Sequence, residues 1–129
     1  MKKTYKKLMA LAGAFGLFAF SATAQITGGT VTINAAVATG GTNYQTFTAL
    51  ATALGTSTLT SPLVVDVVAA SGPYVEQVTF TQIAGGSSSN RITINGNGNT
   101  LTFNSTNSGA PHTLLLQGAD YFTVNDLNV

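Results

Sequence analysis

The chain contains no cysteine, and beyond its first seven residues it has a single basic side chain. Without cysteine there is no disulfide framework to hold a small exported fold, and no thiol to carry a lipid anchor. Four of the five basic residues are Lys2, Lys3, Lys6 and Lys7. The remainder sets Arg91 against Asp66, Glu76, Asp120 and Asp126, a formal charge of −3, although the whole chain is formally +1. A nucleic-acid partner needs clustered Lys and Arg to displace phosphate counterions, so no nucleic-acid partner is expected.

The lysines have another reading. They precede LMALAGAFGLFAF at residues 8–20, an uncharged apolar run too short to cross a hydrocarbon core of about 30 Å with ease. Ala22-Thr23-Ala24 supplies a small-x-small cleavage pattern, so residues 1–24 read as a signal peptide cut before Gln25. No membrane span is expected after cleavage. The mature chain is rich in Thr, Asn, Gly, Ser and Val, a strand-forming composition with turns written in Gly and Asn.

Two stretches suggest a repeat. RITINGNGNTLTF at residues 91–103 holds two alternating apolar arms around an Asn/Gly corner, and HTLLLQGADYFTV at residues 112–124 aligns with it. Ile92 and Ile94 align with Leu114 and Leu116 at 22 residues, and Leu101 and Phe103 with Phe122 and Val124 at 21. Upstream, Val65 and Val67 align with Ile92 and Ile94 at 27, and Val78 and Phe80 with Leu101 and Phe103 at 23. A period of 21–27 residues predicts an all-β, right-handed parallel β-helix of about three coils rather than a lone hairpin or an antiparallel sandwich. Equivalent residues of successive coils stack about 4.8 Å apart. The expected inward columns are Val65/Ile92/Leu114, Val67/Ile94/Leu116 and Phe80/Phe103/Val124. The expected corner ladders are Asn95 on Gln117 and Asn104 on Asn125.

Residues 25–62 read as an N-terminal strand and a short capping helix, and residues 63–129 as the coils. Phe47, Leu50, Ala51 and Leu54 fall at i, i+3, i+4 and i+7, which predicts a helix over residues 43–54. Thr42 or Asn43 is the expected N-cap and Gly55 the stop. Such a helix would cover the open edge of the first coil. The sequence stops at Val129 just after an arm, so the expectation is a fragment of a longer solenoid whose last edge favours self-association.

VVDVVAASGPYVEQVTF, with its Gly72-x-Tyr74-x-Glu76 stretch after a Val-rich strand, resembles the opening coil of right-handed parallel β-helix proteins of the pectin-lyase-like superfamily. The layout of leader, Gly40-Gly41 break, helix and first coil is also similar to the N-terminal part of large secreted β-helix proteins of gliding-type Gram-negative bacteria. The resemblance implies export to the extracellular space or outer cell surface, commonly through type IX secretion. It also implies architectural roles for Gly72, Tyr74 and Glu76, with Tyr74 against the capping helix and Glu76 on backbone donors of the neighbouring coil.

No catalytic residue, metal ligand or cofactor site is expected in this chain. Asp120 and Asp126 read as turn residues rather than a glycosidase pair. Calcium binding through Asp120, Asn125 and Asp126 has oxygen ligands but no supporting spacing. His112, the sole histidine, reads as a loop residue, and Arg91 as an ion-pair partner or solvated side chain. NGNGN at residues 95–99 lacks the Lys and the strand-then-helix setting of a phosphate loop. Asn104-Ser105-Thr106 fits a glycosylation sequon that carries little meaning in a bacterium. The expected role is structural, adhesive or carbohydrate-binding, with polysaccharide or cell-surface glycan as partner. The alternative is the N-terminal part of a polysaccharide-degrading lyase, hydrolase or esterase whose active site lies beyond residue 129.

Overall fold

Short alternating runs rich in Val, Ile, Leu and Thr suit a pleated surface with one face buried, and Gly- and Asn-rich corners break them at regular intervals. The computed structural model describes residues 25–129; the signal peptide read in residues 1–24 lies outside the described residues. The chain is a mostly β, parallel β-solenoid of about three turns with one short helix. The elements are β1 (Gly29–Ile33), β2 (Asn43–Tyr44), α1 (Phe47–Gly55), β3 (Leu63–Val67), β4 (Tyr74–Val75), β5 (Val78–Thr81), β6 (Ile92–Asn95), β7 (Leu101–Thr102), β8 (Leu114–Gln117) and β9 (Phe122–Asn125).

Every strand pairing is parallel. One five-stranded sheet runs in the order β2-β1-β3-β6-β9, and two narrow sheets pair β4 with β7 and β5 with β8. Leu63 pairs with Ile92 and Ile92 with Phe122, so one turn takes 29 and then 30 residues. This corrects the period of 21–27 residues. The turn has three strand-bearing faces, and β8 belongs on the face of β5, where Val78 meets Leu114 and Phe80 meets Leu116. Any two alternating apolar pairs align equally well by pattern, so the spacing could not say which face each arm occupies.

The inward columns change accordingly. One is Val31/Val65/Ile94/Val124 and another Leu63/Ile92/Phe122. Tyr74 stacks on Leu101, and Leu101 is fully buried. Phe103, expected inside, follows β7 and is 38% exposed. Ile83, within what reads as a polar return loop, is buried, because Thr58 and Ala84 bridge in parallel and stack the loop on its predecessor. Gly85 sits there at φ +77°, where an added Cβ would lie 2.0 Å from the Leu59 carbonyl oxygen. Only glycine permits that approach.

The helix starts later than its apolar stripe suggests. Asn43 and Tyr44 pair with Thr32 and Ile33 as strand, and Thr46 is the N-cap, its hydroxyl accepting from the Ala49 N–H at 3.0 Å. Gly55 is the last helical residue and Thr56 the C-cap. Phe47, Leu50 and Leu54 are fully buried, so the helix covers the first turn with the stripe read from sequence.

Candidate functional site

Alternation along the five-stranded sheet sends Val31, Val65, Ile94 and Val124 inward and their neighbours outward. The outward residues make two rows across successive strands. Thr30, Val64, Thr93 and Thr123 form one; Thr32, Asp66, Asn95 and Asn125 form the other. The second row is cross-linked. Asn125 Nδ2 donates to Asn95 Oδ1 at 3.2 Å, and Asn95 Nδ2 donates to Asp66 Oδ1 at 2.8 Å. Thr32 donates instead to Asn43 Oδ1 at 2.9 Å. The amides therefore point one way, toward the carboxylate of Asp66, and stiffen a flat polar strip. The hydroxyls of Thr30, Thr93 and Thr123 have no protein partner among the described residues.

This strip corrects the expected ladders. Asn95 pairs with Asn125, Gln117 lies opposite Thr81 on another face, and Asn104 is exposed after β7. Asp66 joins the ladder although the sequence reading left it out. Its place one residue after an inward Val of the first Val-rich arm was the available signal.

The Gly72-x-Tyr74-x-Glu76 stretch lies elsewhere, under the helix. Tyr74 is buried on β4, its ring edge-on to Phe47 with centroids 5.1 Å apart and its hydroxyl 2.6 Å from Ser71 Oγ. Glu76 takes the helix's own donors rather than those of the neighbouring turn. Its Oε1 accepts from the Phe47 N–H at 2.9 Å, and its Oε2 accepts from the Thr48 N–H at 2.8 Å and the Thr48 hydroxyl at 2.6 Å. With Thr46 on Ala49, each of the first three helical N–H groups has a side-chain acceptor. Gly72 donates its N–H to Asn99 Oδ1 at 2.9 Å. Asn99, buried at the next corner, also donates to the carbonyls of Val68 and Gly96. Asn97 adds a bond to the Val67 carbonyl at 2.8 Å. The NGNGN corner is thus a hydrogen-bonded brace between turns.

The remaining titratable groups are scattered. Asp120 and Asp126 are exposed in the last turn, Asp126 at φ +47°. His112 precedes β8 with Nε2 3.5 Å from the Thr79 hydroxyl, and Arg91 is exposed just before β6. Among the described residues no three His, Cys, Asp or Glu side chains are close enough to hold a metal ion, and no helix is long and apolar enough to cross a membrane.

The fold and the strip define a parallel β-solenoid with a braced polar sheet face. No family model, curated protein or solved structure matches the chain.

Proposed function

We propose that this is an exported surface solenoid whose outward sheet face contacts polysaccharide or cell-surface glycan while its stacked turns act as a stiff spacer. The observation that carries the reading is the pair of outward rows, Thr30/Val64/Thr93/Thr123 and Asp66/Asn95/Asn125, the second held flat by directional amide bonds. The hydroxyls of Thr93 and Thr123 and the amides of Asn95 and Asn125, one strand spacing apart, suit the hydroxyls of an extended glycan, and a single carboxylate on the strip leaves it nearly uncharged. The leader and the G-x-Y-x-E coil support a right-handed, pectin-lyase-like solenoid delivered to the outer surface of a Gram-negative cell, with type IX secretion as the route. The unpaired edge of β9 supports self-association as a further property of the same molecule.

The test is retention on immobilised polysaccharides. The wild-type chain should be retarded, and a Thr123→Val, Asn125→Ala double variant should lose roughly two- to ten-fold in affinity, as expected for one or two neutral hydrogen bonds. A Val75→Ser change, on an exposed residue of another sheet, should leave retention unaltered. Equal retention of the double variant and the wild type would refute the sheet face as the contact surface. Detection of the protein only inside cells of its source would refute export.

A further inference from the structure

The capped end of the solenoid carries a second feature that the sheet face does not use. Between α1 and the loop leading to β2 lies a groove of about 410 Å³ lined by Thr39, Tyr44, Ala49, Thr52, Ala53 and Thr56. A smaller cleft of about 120 Å³, bounded by the 25–31 segment and by Gly41 and Thr42, borders the same tyrosine. Tyr44 is only 4% exposed as a residue, but no buried side-chain oxygen or nitrogen among the described residues lacks a partner, so its hydroxyl, which bonds to no protein group there, is open to solvent. The other buried tyrosine, Tyr74, shows the ordinary solution, a hydroxyl bonded to Ser71. The Tyr44 hydroxyl instead keeps its donor and acceptor for water, or for a ligand that replaces water in the clefts it borders.

We infer that this groove binds a single neutral sugar residue, with the Tyr44 hydroxyl as its hydrogen-bonding anchor. The lining sets the chemistry. No charged side chain borders either cleft, so a uronate or phosphate has no counter-charge there. The Thr52 hydroxyl donates to the Thr48 carbonyl at 2.9 Å, and the Thr56 hydroxyl donates to the Ala53 carbonyl at 3.1 Å. Both keep lone pairs for incoming donors. Thr39 Oγ1 accepts from the Gln45 N–H at 2.9 Å and keeps its proton. Tyr44 can give and take. A groove that both accepts and donates beside the methyl groups of Ala49 and Ala53 suits a pyranose, with hydroxyls at its rim and C–H groups on its face. A wholly apolar ligand would bury the phenol without a partner. The volume lies within the range typical of small-molecule sites.

The site shares a ligand class with the sheet face but no residue, so the two readings fail separately. The experiment is a methyl-detected NMR titration of the purified chain with methyl glucoside, methyl galactoside, methyl mannoside and N-acetylglucosamine. Glucuronate serves as the charged probe and cyclohexanol as the apolar one. The expected result is saturable shifts at the Ala49, Ala53, Thr52 and Thr56 methyls with at least one neutral sugar. Tyr44→Phe should weaken that binding roughly two- to ten-fold with no loss of melting temperature, because no protein contact of the hydroxyl is removed. Ala53→Leu should fill the groove and abolish the shifts. The Thr123→Val, Asn125→Ala variant should keep them, whatever it does to polysaccharide retention. Absence of shifts with every neutral sugar, stronger shifts with glucuronate or cyclohexanol, or unaltered affinity in Tyr44→Phe would each overturn the inference.

Discussion

Glu76 shows how one side chain joins two elements distant in sequence. Its carboxylate accepts three hydrogen bonds at the start of α1, 28 and 29 residues upstream. Glu76→Ala should therefore lower stability by about 2 kcal/mol, the usual size for charge-assisted bonds at a helix start. Urea unfolding would read this as a fall in midpoint, with Glu76→Gln losing less because one acceptor oxygen remains. Glycines divide in the same way. Gly85→Ala would push a Cβ against the Leu59 carbonyl, whereas Gly98, also at positive φ (+72°), faces open space. Gly98→Ala should cost about 1–2 kcal/mol for its backbone alone, and Gly85→Ala clearly more. Burial raises the Tyr44 phenol above its ordinary value of 10.0. The unfolded chain then gives up that proton first, so the contribution is complete below pH 10.0 and lost as the pH rises toward the folded value. Tyr44→Phe should lose less stability than the wild type when denaturation is followed upward through that window.

At the scale of elements, the strands are too short to stand alone and are held by stacking. Phe80, fully buried on β5, touches Phe122 of β9 with ring centroids 5.3 Å apart and so joins two faces of the solenoid. Phe80→Ala should cost about 3–5 kcal/mol, the range for emptying an aromatic core position, measurable by thermal or denaturant unfolding. The helix stripe was legible because Phe47, Leu50 and Leu54 keep the 3.6-residue period whatever surrounds them. Its start was not. Asn43 has cap chemistry, but its amide joins Thr32 to the carbonyls of Val37 and Ala38, and that use depends on a strand it meets only in three dimensions.

For the whole molecule, the first turn is covered by α1 and β2, while the last described turn leaves Leu116 of β8 42% and Tyr121, just before β9, 41% exposed, on strands whose outer edges are unpaired among the described residues. Residues 25–129 alone should associate with rising concentration, as sedimentation velocity would show, and Leu116→Lys should reduce that association. A concentration-independent monomer would count against edge pairing. Parallel stacking was readable because alternation, Gly/Asn corners and recurrence came together over the chain. The rank of each arm within a turn was not. β6 (ITIN) and β8 (LLLQ) are both four-residue apolar-rich strands ahead of a Gly-containing corner, and the pairing of Val78 with Leu114 is what places β8 on the face of β5.

The sequence by itself determined that the chain beyond residue 24 is β-rich and nearly free of positive charge. It also determined that the chain recurs as short arms and carries one amphipathic helix before its first coil. These are local properties, set by side-chain period, branching and turn chemistry. Only the tertiary structure decided the three-faced turn of 29 to 30 residues, the ladder of Asp66, Asn95 and Asn125, the attachment of Glu76 to the helix, and the partnerless phenol of Tyr44. Each of these depends on which residues 27 to 36 positions apart are laid side by side. That register is fixed by the summed packing of the core, and no single stretch encodes it.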